Sequence, residues 1–210
     1  MTIAVVAACP FPCPRGTPTR ILRLSEALAS LGHDVHIITY HLGTEYSPPY
    51  PNLVIHRIND VPRYQKMDPG PSWRKLVVLD TMLVWKLRQV LGEVPVDLIH
   101  AHHYEGMLTA AMASRRSGIP VVYDAHTMLE TELPYYGSGV PAALKAAFGK
   151  LLDRRIPHAA EGIVCVSEEI EQALAPLVQS RNRIITIPNG VELDVFSVRR
   201  KSLSHEADNP

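Results

Sequence analysis

The chain has 210 residues, 21 basic and 21 acidic side chains and three cysteines. That length can bury one core of upper-middle size, or one domain plus a tail. The balanced charge leaves no basic stripe for nucleic acid. Three thiols make no disulfide framework and point to a reducing cytoplasm, and no apolar run approaches the ~20 residues of a membrane span.

Ile3 to Ala8 is a short apolar run of small and β-branched residues and reads as a buried strand. The loop Cys9 to Pro18 follows, then a helical pattern with Ile21, Leu24, Leu28 and Leu31 on one face and Arg20, Arg23, Glu26 and Ser30 mostly off it. Thr17 is the expected N-cap, Pro18 suits the first turn, and Gly32 suits the C′ position. Val35 to Tyr40 is a second strand, which makes a right-handed parallel βαβ unit. A loop between a strand end and a helix N-terminus presents free N–H groups to an anion. Gly16 would let a phosphate approach the backbone and Arg15 would add charge. One glycine among four prolines is not the three-glycine dinucleotide fingerprint, and Gly16 serving only a tight turn is the simpler alternative.

Leu53 to Ile58 is a third strand, Asn59 to Ser72 a polar loop, and Trp73 to Leu91 a helix ended by Gly92 and Pro95. Asp97 to His102 is the fourth strand, Glu105 to Ser117 a helix, and Ile119 to Asp124 the fifth strand. Ala125 to Val140 reads as a long loop, Pro141 to Ile156 as a helix, Gly162 to Ser167 as the sixth strand and Glu168 to Val178 as another helix. Arg183 to Ile187 is the seventh strand, closed by Pro188-Asn189-Gly190. The expected fold is α/β: a doubly wound, mainly parallel sheet of about seven strands with helices on both faces. Residues 1–196 form one Rossmann-like domain, and 197–210 are a polar tail or the start of a linker. The switch point should lie between the first and fourth strands, where such folds bind ligands beyond the carboxyl ends of the strands.

That edge collects Cys9 to Gly16, His41, His102, His103, Tyr104, Asp124, His126, Ser167, Glu168, Asn189 and Gly190. His100 reads as a packed strand residue, and His102 and His103 either meet a ligand or cap the next helix. Neighbours on a strand point to opposite faces, so His102 and His103 are a poor chelating pair. Cys9, Cys13 and Cys165 lack a fourth ligand, and no metal site is expected. The Gly-x-Ser-x-Gly elbow of a serine hydrolase is absent, and Ser167-Glu168 reads as a helix cap with an acid in the first turn.

Four motifs then stand in order: Leu31-Gly32-His33-Asp34-Val35, Asp97-Leu98-Ile99-His100-Ala101-His102, Tyr123-Asp124-Ala125-His126-Thr127, and Ile187-Pro188-Asn189-Gly190-Val191 with Phe196. Together they resemble the landmarks of the N-terminal domain of glycosyltransferases of family four, from Ile3 to about Phe196. The resemblance implies half of a two-domain, GT-B-fold, retaining enzyme. Its N-terminal domain would hold a sugar, lipid or small-molecule acceptor, and the C-terminal domain the nucleotide-sugar donor. It implies that His126 lies by the transferred sugar. Arg15, Gly16, Thr17, His102, His103 and Asp124 are the candidates for acceptor or phosphate contacts, and Pro188, Asn189 and Gly190 for the interdomain hinge. The groups meeting the leaving diphosphate would belong to the missing C-terminal domain or subunit, so this chain is expected to bind no cofactor of its own. A non-catalytic binding module, a subunit of a split enzyme and half of a sugar-nucleotide epimerase are the alternatives.

The helix Pro141 to Ile156 carries Lys145, Lys150, Arg154 and Arg155 against Asp153, with a stripe of Leu144, Ala147, Phe148, Leu151 and Leu152. The simpler expectation is that the stripe packs on the sheet. The alternative is peripheral contact with an anionic membrane surface, which would place a cytoplasmic protein at the inner face of the membrane.

Overall fold

A computed structural model describes residues 1–62, 64, 65, 67, 75–137, 139–178 and 183–190. The expected helix start at Trp73, most of the second half of the 59–72 loop, Val191, Phe196, the 196 boundary and the 197–210 tail lie outside the described residues.

Seven parallel strands form one sheet: β1 (Thr2–Ala7), β2 (Asp34–Thr39), β3 (Leu53–Arg57), β4 (Leu98–His102), β5 (Val121–Ala125), β6 (Gly162–Cys165) and β7 (Ile184–Thr186). Their spatial order is β3-β2-β1-β4-β5-β6-β7. The order reverses between β1 and β4, so the switch point lies where the alternation of strands and helices put it. The register pairs Ala7 with His102 and His102 with Asp124, which brings the ends of β1, β4 and β5 side by side.

Alternating residues of β1 serve two cores. Ile3, Val5 and Ala7 join Phe11, Ile21, Val35 and Ile37 on one face. Ala4, Val6 and Ala8 join Ile38, Ile99, Ala101, Leu83 and Met107 on the other. Covering both faces explains why β1 is a continuous apolar run, since each buried aliphatic side chain contributes about 1.5–3 kcal/mol.

The helices are α1 (Gly16–Ser30), α2 (Asp80–Glu93), α3 (His103–Ser114), α4 (Leu129–Glu132), α5 (Ala142–Arg155) and α6 (Glu168–Leu174). Gly32 ends the first βα unit at φ +86°, a conformation that glycine adopts without Cβ strain. Ser167 accepts a hydrogen bond from the Ile170 N–H at 3.5 Å and caps α6 as expected.

Several expectations change. The N-cap of α1 is Arg15, whose side chain does not cap the helix but donates to the Met67 carbonyl at 2.5 Å, and Thr17 lies inside the first turn. Pro18 is tolerated there because the first N–H groups of a helix have no intrahelical partner. The buried line of α1 runs Ile21, Ser25, Ala29, with small residues against the sheet; Leu31 is 75% exposed and Arg20 is buried. A π-type turn, Lys75–Leu79, precedes α2. The 125–140 stretch is not a plain loop, for it contains α4 and a 3-10 turn, Leu133–Tyr135. The Asp153 carboxylate of α5 accepts the Leu129 and Glu130 N–H groups at 3.0 and 2.9 Å. A side chain distant in sequence thus supplies the cap that no local residue provides.

Most of the α5 stripe stays off the core, and of its five residues Leu152 packs against it. Leu144, Phe148 and Leu151, spaced i, i+4, i+7, are all exposed, and Gly149 and Asp153 face inward instead. Lys145 turns back, its ammonium donating to the carbonyls of Pro134, Tyr136 and Gly137 at 2.9, 2.8 and 3.1 Å. Among the described residues no helix is long and apolar enough to cross a membrane.

Candidate active site

A cavity of about 340 Å³ opens at the switch point, beyond the carboxyl ends of β1 and β4. Arg15, Gly16, Thr17, His102 and His103 line it, together with Lys75, Glu105 and Glu132. An added Cβ at Gly16 would meet nothing within 4 Å, so the loop leaves open space there.

His102 and His103 were expected on opposite faces. They line one cavity because β4 ends at His102 and His103 turns into α3 at φ +64°. This is the left-handed region, sparsely populated by non-glycine residues and often found at functional sites. Glu105 holds the turn: one carboxylate oxygen lies 2.8 Å from His103 Nδ1 and the other accepts from the Lys75 ammonium. Burial opposes the Glu105 charge, yet the His103 hydrogen bond and the Lys75 charge hold its carboxyl down to about 2. Lys75 in turn stays above the usual lysine value, because Glu105 outweighs the burial that would lower it.

Behind the cavity lies Asp124, fully buried on β5. Its Oδ1 is 3.3 Å from His126 Nε2, and its Oδ2 is 3.4 Å from His100 Nε2 and 3.7 Å from His102 Nδ1. The Arg20 guanidinium binds the same carboxylate at 3.2–3.3 Å. Burial would raise Asp124, but the His100 imidazole at 3.4 Å and the charges of His126 and Arg20 keep it below the ordinary aspartate value. His126 has Thr17 Oγ1 at 3.4 Å from Nδ1 and His102 Nδ1 at 3.4 Å from Nε2. Thr17 therefore contacts the candidate histidine rather than capping its own helix. Pro188, Asn189 and Gly190 are exposed at the end of β7, and Arg20 reaches the first two.

The structure thus brings five of the candidate residues to the cavity wall and puts Asp124 and His126 just behind it. Arg20, Lys75, Glu105 and Glu132 stand outside the residues that the sequence singles out, and His100, which reads there as a packed strand residue, lies against Asp124. Two of these had a readable signal: His100 and His102 are two apart on a strand and share a face, and a charged residue one turn into α1 sits beside the ligand edge.

His100, His102 and Asp124 present possible ligand atoms within 4.8 Å of one another. Asp124 is already neutralised by Arg20, and a divalent ion would face that guanidinium, so the cluster suits hydrogen bonding better than metal ligation. Burial pushes the Cys9 and Cys165 thiols up to about 12, so neither is a thiolate nucleophile at neutral pH.

Burial, outweighing Asp124, pushes His126 down to about 4, and burial together with neighbouring histidines lowers His102 well below the usual value. Both rings are neutral at pH 7. On acidification an unfolded chain takes up protons near pH 6.5, while folded His126 resists until about pH 4, so stability must fall across that window. We expect His126 alone to account for a loss of roughly 2–3 kcal/mol between pH 7 and 4.5. Urea unfolding midpoints would measure it, and His126→Gln should flatten the dependence. An identical slope in the variant would refute the assignment.

A parallel sheet in this order, with a polar cluster at its switch point, defines the class: a doubly wound, Rossmann-like α/β domain. Among solved structures, sucrose-phosphate synthase from Thermosynechococcus elongatus superposes with a TM-score of 0.69 at 18% identity, over 93% of this chain and 49% of that one. An Anabaena protein solved with UDP and glucose superposes with a TM-score of 0.57 at 17% identity, over 93% of this chain and 46% of that one. At such identities the likeness concerns the fold alone. The family model described as Glycosyltransferase Family 4 matches residues 14–195, and the chain belongs to that family.

The chain is 27% identical over 203 residues to D-inositol 3-phosphate glycosyltransferase of Paenarthrobacter aurescens, covering 93% of this chain and 48% of that protein. It is 22% identical to alpha-monoglucosyldiacylglycerol synthase of Acholeplasma laidlawii, again covering 93% and 48%. The chain therefore spans somewhat less than half the length of these relatives and corresponds to a glycosyltransferase N-terminal domain.

Proposed function

We propose that the chain is the acceptor-side domain of a retaining glycosyltransferase whose nucleotide-sugar donor is held by a second domain or subunit. The observation that carries this reading is His126, pinned by Asp124 at 3.3 Å and Thr17 at 3.4 Å, beside the switch-point cavity. A neutral, oriented imidazole there can exchange its Thr17 contact at Nδ1, the one that faces the cavity-lining Thr17, for a hydrogen bond with a hydroxyl of the transferred sugar. Asp124 is buried and touches His126 and Arg20, so its part is to orient them. The cavity walls carry two bases, Arg15 and Lys75, and two acids, Glu105 and Glu132. Glu132 Oε2 and His102 Nε2 are buried without a hydrogen-bond partner among the described residues. Together these features favour a hydroxyl-bearing acceptor, since its hydroxyls would satisfy both atoms. The open space at Gly16, beside Arg15 and Thr17, leaves room for a phosphate on that acceptor. The names of the relatives, an inositol phosphate glycosyltransferase and a glycolipid synthase, fit a polyol phosphate or a glycolipid. Joining the chain to a donor domain and assaying transfer from nucleotide-sugars to such acceptors tests the reading. Failure of every such pairing to transfer sugar would count against it.

The exposed face of α5 supports a place at the inner surface of the membrane. Leu144 and Phe148 are 62% and 57% exposed, beside Lys150, Arg154 and Arg155. We expect the chain to co-sediment with vesicles containing anionic lipid and not with neutral ones. Replacing Arg154 and Arg155 by alanine should weaken the partition about 30-fold, at roughly 1 kcal/mol per basic residue. Equal binding to both kinds of vesicle, or to neither, would end this part of the reading.

A further inference from the structure

Arg20 lies in the first half of α1, 8% exposed, outside the four short motifs of the sequence. Its guanidinium faces two groups at once. Nε lies 3.3 Å from each Asp124 oxygen and Nη2 lies 3.2 Å from Oδ2. The remaining nitrogen, Nη1, donates to the Pro188 carbonyl at 3.3 Å and to Asn189 Oδ1 at 3.2 Å. Asp124 Oδ1 is in turn 3.3 Å from His126 Nε2.

A buried cation needs a counter-charge, and Asp124 supplies it. The two bonds to the hinge are not required for that purpose. Pro188 and Asn189 are exposed, so water could serve their polar atoms equally well. A charge-neutralising role therefore leaves the Nη1 contacts unexplained. Guanidinium is planar and its donors have a fixed geometry, so displacing the hinge tilts the plane and alters the edge that holds Asp124. An ammonium group has no second edge.

We propose that Arg20 is a positioning residue that couples the Pro188–Asn189 hinge to the Asp124–His126 pair. The orientation of His126 then follows the path of the chain toward the donor domain. This rests on the reading of 188–190 as the interdomain hinge.

The 210-residue chain tests the coupling without any sugar transfer. The ring signals of His126 are followed by NMR, assigned through their loss in His126→Gln, with the exposed His158 as internal control. Asn189→Ala removes one hinge acceptor at an exposed position and leaves the Arg20–Asp124 pair in place. It should shift the His126 signals and not those of His158. In Arg20→Lys, which keeps the charge on Asp124 but loses the second edge, Asn189→Ala should add no further shift. Unchanged His126 signals in Asn189→Ala, or an equal increment in both backgrounds, would overturn the proposal. The single variant decides alone if Arg20→Lys does not fold. In a two-domain protein, Asn189→Ala should lower kcat about 10-fold at unchanged acceptor KM, short of the ~10²-fold that a full ångström of misplacement can cost. Wild-type kcat there would overturn the coupling too. Coupled NMR signals in the 210-residue chain, with no transfer by any two-domain protein built from it, would instead sink the glycosyltransferase reading and leave the coupling standing.

Discussion

His126→Ala should lower turnover by about 10²-fold in a two-domain protein that transfers sugar, a typical scale for losing a positioned proton-exchanging or hydrogen-bonding group. The ring sits behind the cavity and is held by Asp124, Thr17 and His102 at 3.3–3.4 Å. Its removal should therefore reduce kcat and leave the acceptor KM nearly unchanged. The 210-residue chain alone should transfer no sugar at a measurable rate. Retaining transfer develops negative charge on the departing phosphate, and stabilising that charge is usually the largest catalytic contribution. In our reading the groups that do so lie in the other domain. His56→Ala provides the control: His56 lies on β3, 2.9 Å from His36 and stacked on it, and should matter little to turnover. Two outcomes would count against the scheme: brisk transfer by the 210-residue chain alone, or wild-type turnover in His126→Ala.

Gly149→Ala should destabilise the fold by about 3 kcal/mol, the upper part of the range for overpacking a tight contact. A Cβ at Gly149 would stand 2.3 Å from the Leu129 carbonyl oxygen and 2.6 Å from the Glu130 nitrogen, both backbone atoms of α4. That helix cannot simply move away, because Asp153 holds the same two residues through their N–H groups. The change must either break those charge-assisted bonds or displace α5. Gly92→Ala in α2 is the matched control, since a Cβ there meets nothing within 4 Å and should stabilise the helix by up to about 1 kcal/mol. Denaturant midpoints of the two variants should move in opposite directions. Equal midpoints for Gly149→Ala and the wild type would show that α4 yields freely. Because α4 carries Glu132 into the cavity wall, acceptor binding should weaken in Gly149→Ala as well.

Much of the architecture was legible because it is local. Apolar runs of strand length alternate with helical spacing, Gly32 stops α1, and Ser167 caps α6. The handedness of parallel crossovers then leaves few topologies, and the reversal between β1 and β4 follows. The same pattern names the residues that strand ends deliver to the ligand edge, and so Arg15, Gly16, Thr17, His102 and His103 could be listed for the cavity they line. The sequence could not say which way a side chain turns once it arrives. His103 looked opposed to His102 until a positive φ swung it to the same side. Arg20 looked like one more charged residue off the apolar face of α1. It is buried because Asp124, 104 residues away, and Asn189, 169 residues away, meet at its guanidinium. The stripe of α5 had the spacing of a packed face, yet Gly149 and Asp153 are what α4 admits, and Leu144 and Phe148 are left outside. Periodicity reports a face repeated along one element. Pairings between distant elements have no period, so only the tertiary structure decided which charges are buried and which apolar face is open.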